Sequence, residues 1–274
     1  MPRMYFIGVS TGASSGHRIF SRWAVLAGVD GAVLAPIDLP VAAPAESYRS
    51  AVLAIRDDPE ALGALVTTHK VGIHRHAGDL FTTLDADAER LGEIGCIVKR
   101  GRRMDGLAVD TLTSRLALPH RGPALIIGAG GAAVALATNL PGAILTDLSA
   151  ERLDQVRRLG FARCIQVRAP EDHDHLLASM PSHSLIVNAT GMGKDRPGCP
   201  ITAAARFPPG SVAWDLNYRG QLLMLDYARA QGARAVDGWE YFLHSWSQIM
   251  SRILGFELTP DLFAAMREAA GSVR

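Results

Sequence analysis

Apolar and polar positions along the 274-residue chain switch between two periods. Short apolar runs at residues 4–9, 32–39, 63–67 and 94–98 read as strands. Between them, apolar residues recur at helical spacing: Ile19, Phe20, Trp23, Leu26 and Ala27 first, then Tyr48, Val52 and Ile55 within 46–56. A further helix opens at Lys70. Strands and helices alternating at this size predict βαβ units around a mainly parallel sheet.

The turn-rich basic stretch Lys99, Arg100, Gly101, Arg102, Arg103 reads as a boundary, and 110–118 as a helix leading away from it. A second α/β unit then begins with ALIIGAGGAAVALATNL at 124–140. Strands are expected there at 143–146, 164–167, 185–188 and 212–216, with amphipathic helices between. From Gly238 the pattern is helical to the end, through Tyr241, Phe242, Trp246, Ile249 and Ile253 and then 262–269. These helices are expected to pack back on the first unit. The reading is therefore α/β, with one domain at 1–104 completed by 238–274 and a second at 105–237.

Charge narrows the partners. Lys+Arg is 28 and Asp+Glu 27, a net +1 with no block of like charge, which leaves no footprint for nucleic acid or an anionic membrane. The three cysteines, Cys96, Cys164 and Cys199, fit neither a disulfide framework nor a zinc site. No run approaches a membrane span, and the first residues are too weakly apolar for a signal peptide. A cytoplasmic protein acting on a small molecule, as monomer or homodimer, is expected. Lysine is scarce, only Lys70, Lys99 and Lys194, so few side chains could serve as a titrating amine.

The clearest chemical signal follows the apolar run Ala124–Ile127, which reads as a strand buried on both faces. Gly128, Gly130 and Ala133 match G-x-G-x-x-A. The first glycine permits the tight turn, the second lets backbone approach a pyrophosphate, and Ala133 permits close helix–strand packing. Ala129, Gly131 and Ala132 complete the loop, whose N–H groups suit phosphate oxygens. Asp147 stands 19 residues past Gly128 (147 minus 128), where a carboxylate binds ribose hydroxyls. Leu148 follows it rather than an arginine. That pair favours NAD, with NADP as the alternative.

Taken together, these segments resemble the shikimate dehydrogenase family over nearly the whole chain. IGVSTGASSG places Ser14 on the first serine of the family's substrate-binding pair and Gly16 on the second. LVTTHK (65–70) resembles the segment Asn-Val-Thr-x-Pro-x-Lys, keeping Val66, Thr67 and Lys70 with one residue fewer. GLAVD (106–110) resembles Gly-x-Asn-Thr-Asp, keeping Gly106 and Asp110. NATGMG (188–193) matches the nicotinamide-side loop, assigning Asn188, Ala189, Thr190, Gly191 and Met192 to the cofactor. DLNY (215–218) places Tyr218 on a substrate-side tyrosine. The family's substrate glutamine falls on Ser245, with Gln248 nearly one turn later, and the asparagine of Gly-Ala-Val-Asn-Thr falls on Val98.

The resemblance implies a substrate-binding first domain, a Rossmann second domain, and Lys70 with Asp110 as the acid–base pair, beside substrate contacts from Ser14, Thr67, Tyr218, Ser245 and Gln248. Oxidising a secondary alcohol removes a hydride and a proton, and a side chain must handle the proton. Asp110 doubles as an N-cap candidate for the helix it opens. His69, His74 and His76 lack a carboxylate or cysteine partner at ligand spacing, so no metal is expected. The altered polar positions imply a cyclic hydroxy acid or related polyol. Two alternatives stay open: shikimate 5-dehydrogenase proper, and a non-catalytic sensor of a dinucleotide and a small ligand.

Overall fold

A computed structural model describes residues 1–194 and 196–273. The chain divides into two compact units, 1–109 with 245–274, and 110–244. The divisions fall a few residues after the boundaries expected at 104/105 and 237/238.

The first unit runs β1 (Arg3–Gly8), α1 (Ser15–Leu26), β2 (Val33–Asp38), α2 (Ala45–Asp57), β3 (Ala61–Val66), α3 (Lys70–Ala77), β4 (Thr83–Leu84), α4 (Ala86–Leu91), β5 (Cys96–Arg100) and β6 (Arg103–Leu107). Among the described residues the sheet order is β2-β1-β3-β5-β6-β4. The pairs β1–β2 and β1–β3 are parallel, whereas β3–β5 and β5–β6 are antiparallel. The stretch at 99–103 is thus no boundary. It is a hairpin turn inside the sheet, with Gly101 at φ 60°. Lys99 is buried in β5 and donates to the Asp58 carbonyl at 2.6 Å.

Two backbone details explain sequence oddities. Pro36 lies in β2, an edge strand. Val33 and Leu39 donate their N–H groups towards β1, so by alternation residue 36 faces outward, where no N–H is needed. Gly63 sits where β3 bulges against β1, at φ 148°, and a Cβ there would lie 1.9 Å from the Ile97 carbonyl oxygen.

The second unit runs α5 (Asp110–Ala117), β7 (Ala124–Ile127), α6 (Gly131–Ala137), β8 (Ile144–Asp147), α7 (Ala150–Arg158), β9 (Cys164–Gln166), α8 (Pro170–Ala178), β10 (Leu185–Asn188), β11 (Val212–Asp215), α9 (Leu223–Ala230) and β12 (Arg234–Val236). Its sheet is parallel throughout, in the order β12-β11-β10-β7-β8-β9. Every residue of β7 and β10 is buried, as continuous apolar runs require. The winding reverses between β7 and β10, and a crevice opens outside the carboxyl ends of strands at such a point.

The chain ends in α10 (Trp239–Leu254) and α11 (Pro260–Gly271). The C-terminal part packs on the first unit, as expected. The buried Trp23 donates from Nε1 to the Met266 carbonyl at 2.8 Å, tying α1 to α11, and Arg100 reaches the Ile253 carbonyl at 3.2 Å. Among the described residues no helix is long and apolar enough to cross a membrane.

Candidate active site

In the first unit, Ser14 caps α1. Its hydroxyl oxygen accepts from the Gly16 N–H at 3.1 Å, leaving the hydroxyl proton for another acceptor. The preceding turn is anchored because Thr11 donates to Asp38 through both N–H (2.9 Å) and hydroxyl (2.7 Å). Thr67 follows the end of β3 and donates its hydroxyl to the Ile7 carbonyl at 3.2 Å. Lys70 is the first residue of α3, half-buried. A Cβ added to Gly95 would lie 3.4–3.6 Å from its Cε, Cδ and Nζ, so the side chain runs across that glycine. Ser245 and Gln248 sit half-buried on α10. The Gln248 amide oxygen accepts from Arg252 at 2.8 Å, which fixes its orientation.

The neighbouring histidines are structural. His69 is buried. Its Nε2 faces the Leu39 carbonyl at 3.0 Å and so carries the proton, while Nδ1 accepts from the Tyr48 hydroxyl at 3.3 Å. His76 stacks on Tyr48, and burial pushes the His74 imidazole below its usual range. Among the described residues no group of His, Cys, Asp or Glu is arranged to hold a metal ion.

In the second unit, Asp110 is the first helical residue of α5 rather than its N-cap, and is only 1% exposed. Gly128 turns the chain at φ 104°. A Cβ there would come within 3.1 Å of both the Ala189 carbonyl and Thr190 Cγ2, so only glycine lets the β7 and β10 loops approach. Gly130 caps α6, and a Cβ on it would meet nothing within 4 Å. Asp147 ends β8 and accepts from the N–H of Ala129 (3.0 Å) and of Ser149 (2.9 Å). Arg152 joins the same loop, its Nε donating to the Ala129 carbonyl at 2.6 Å. The sequence reading missed Arg152; its spacing from Asp147 on α7 was the available signal.

A cavity of about 360 Å³ lies along this edge, lined by Gly128, Asp147, Leu148, Arg168, His173 and Thr190 among others. His173 is held between the Thr146 hydroxyl (2.9 Å) and the Pro200 carbonyl (2.7 Å), and burial pushes its imidazole down. Glycine turn, free space over Gly130, carboxylate and cavity together fit a dinucleotide.

Asn188, expected at the cofactor, has its side chain bonded within the protein. It is buried, and its Nδ2 donates to Asp215 at 2.8 Å while its oxygen accepts from the Thr190 N–H (3.0 Å) and hydroxyl (2.6 Å). Asn217 donates to Asp215 (2.8 Å) and to the Thr190 carbonyl (3.0 Å). These side chains hold the 188–192 loop in shape. Ala189, Thr190, Gly191 and Met192 follow Asn188 in that loop, all four of them half-buried. Tyr218 packs among aromatic rings, edge-on to Trp239 at 5.3 Å and tilted against Phe242 at 4.6 Å between centroids.

Comparison with known proteins places this geometry. Over 251 residues the chain is 31% identical to the shikimate dehydrogenase (NADP(+)) of Acidiphilium cryptum, covering 87% of this chain and 85% of the relative. This chain belongs to the shikimate dehydrogenase family. It is an oxidoreductase of that family, and the likeness extends to the enzyme of Rhodospirillum rubrum, 28% identical with 96% of this chain and 94% of the relative covered. Among solved structures, shikimate 5-dehydrogenase from Thermus thermophilus, in complex with NADP(H) and shikimate, matches with a TM-score of 0.77 at 22% identity over all of both chains. Quinate dehydrogenase from Corynebacterium glutamicum, in complex with NAD, matches at 0.76 and 20% identity, covering 99% of each. These two likenesses concern the fold. No protein-family model matches the chain.

Proposed function

We propose that this oxidoreductase transfers hydride between a nicotinamide dinucleotide and a secondary alcohol or ketone of a cyclic hydroxy acid or related polyol. The observation that carries the reading is the glycine turn at Gly128, with Asp147 tied to it and a cavity beside it. The first unit is the substrate domain and the second the cofactor domain. When bound, the dinucleotide supplies the hydride acceptor. Lys70 takes up or returns the hydroxyl proton. Asp110 supplies the carboxylate of the acid–base chemistry, and Ser14 and Thr67 offer hydroxyl groups to substrate oxygens. Tyr218, Ser245 and Gln248 are further substrate contacts.

NAD is the favoured cofactor. Asp147 would hydrogen-bond ribose hydroxyls and repel a 2′-phosphate, and Leu148 beside it is exposed and uncharged. NADP is the second reading, because Arg152 brings a cation to the same loop. The deciding experiment follows nicotinamide absorbance with NAD and NADP across a panel of cyclic hydroxy acids and polyols, with Lys70→Ala alongside. Cofactor binding with no turnover of any member would favour a sensor instead.

A further inference from the structure

The place of a side chain at position 16 is already taken. A Cβ built on Gly16 would lie 2.0 Å from Cζ2 and 2.2 Å from Cη2 of Trp246, far inside contact distance. The indole is 3% exposed and held edge-on to Phe6, ring centroids 5.1 Å apart at 83°. It therefore lies against bare backbone in the first turn of α1, two residues after the cap. The Ser14 hydroxyl oxygen bonds the N–H of the same Gly16. Serine hydroxyl and indole thus meet at one residue, and the buried ring fills the space that a side chain at position 16 would need.

Besides the Ser14 hydroxyl proton, few donors are left there. A helix N-terminus ordinarily attracts an anion through its unpaired N–H groups. In α1 the Gly16 N–H is bound to the Ser14 hydroxyl and the His17 N–H to the Ser14 carbonyl. The buried Nε2 of His17, whose ring lies 5.9 Å from Phe6, has no hydrogen-bond partner. A neutral hydroxyl could satisfy that single nitrogen. A carboxylate needs several donors, and the Ser14 hydroxyl proton alone would replace little of the hydration it loses.

We infer that Trp246, seated on Gly16, is a specificity-determining residue that selects a cyclic hydroxy substrate whose end facing α1 is uncharged, hydrocarbon or hydroxymethyl in place of carboxylate. This rests on the oxidoreductase reading and deepens it. Position 16 and position 246 act as a pair: a hydroxyl can be placed on the first only if the second shrinks.

The test is binding, by isothermal titration calorimetry on the full chain with NADH present. The probes are shikimate and its neutral analogue carrying a hydroxymethyl group in place of the carboxylate. The wild type is expected to bind the neutral analogue about tenfold more tightly or better. Gly16→Ser alone should lower Tm, and adding Trp246→Leu should restore it, since the two changes share one space. That double variant should move the affinity ratio towards shikimate by about tenfold. Equal or tighter binding of shikimate by the wild type overturns the inference, as does binding of neither probe or an unchanged ratio in the double variant. Turnover is scored separately. The predicted binding preference without any hydride transfer would remove the oxidoreductase reading and leave the role of Trp246 standing.

Discussion

The Asp215 carboxylate and the Asn188 amide are joined at 2.8 Å inside the second unit, both about 1% exposed. The pair links the last residues of β10 and β11, at the start of the 188–192 loop. Burial drives the Asp215 carboxyl up to about 6, against the opposing hydrogen bonds from Asn188 and Asn217.

A raised carboxyl binds its proton more tightly in the folded state than in the unfolded one. Stability from this group is therefore largest in acid and is lost as pH rises from about 4 to about 6, on the order of 2–3 kcal/mol, then stays constant. Carboxylates such as Asp79, held low by Arg49, act in the opposite direction, so the group must be isolated by difference. Urea unfolding of wild type and Asp215→Asn between pH 4 and 8 is the measurement. The stability gap between the two should change below pH 6 and be flat above it. A gap independent of pH would contradict the assignment.

Lys70→Ala should lower kcat by about 10²–10⁴ while the cofactor Kd changes by less than about twofold. Asp110→Asn should follow the same pattern. Stopped-flow turnover with fluorescence titration of NADH separates the two effects. Retained turnover in both variants would remove the acid–base assignment.

Asp147→Ala should raise the NADP to NAD preference by about tenfold, because it removes the charge facing a 2′-phosphate. Arg152→Ala should lower affinity for NADP more than for NAD. Titrating both reduced cofactors against each variant gives the ratios. If Asp147→Ala leaves the ratio unmoved, ribose recognition by that carboxylate is wrong.

Gly63→Ala should cost about 3 kcal/mol or more, since its Cβ has no room beside Ile97 and its φ of 148° disfavours a side chain. Circular dichroism melting would show this as a large fall in Tm. A change below about 1 kcal/mol would mean that the bulge relaxes freely.

Local signals were legible in the sequence. The apolar run before Gly128 announced a buried strand, and Asp147 stands at the end of β8 as its distance from that glycine implied. What resisted reading depends on residues far apart along the chain. Lys99 looked like part of a solvated turn because its partner, the Asp58 carbonyl, lies 41 residues away. The short strands β4 and β12 carry too few residues for a period to show. Asn188 matched a cofactor motif, yet its amide serves Asp215, a pairing visible only once β10 and β11 lie side by side. Position 16 read as a missing serine, whereas the fold makes it the floor beneath Trp246.

Pro36 carries a consequence for the protein in concentrated solution. On the outer rim of β2, the middle of the three outward-facing positions has no amide hydrogen to offer. A stray strand from another molecule would find a gap in the ladder there, and templated sheet growth from that side would stall at its first step.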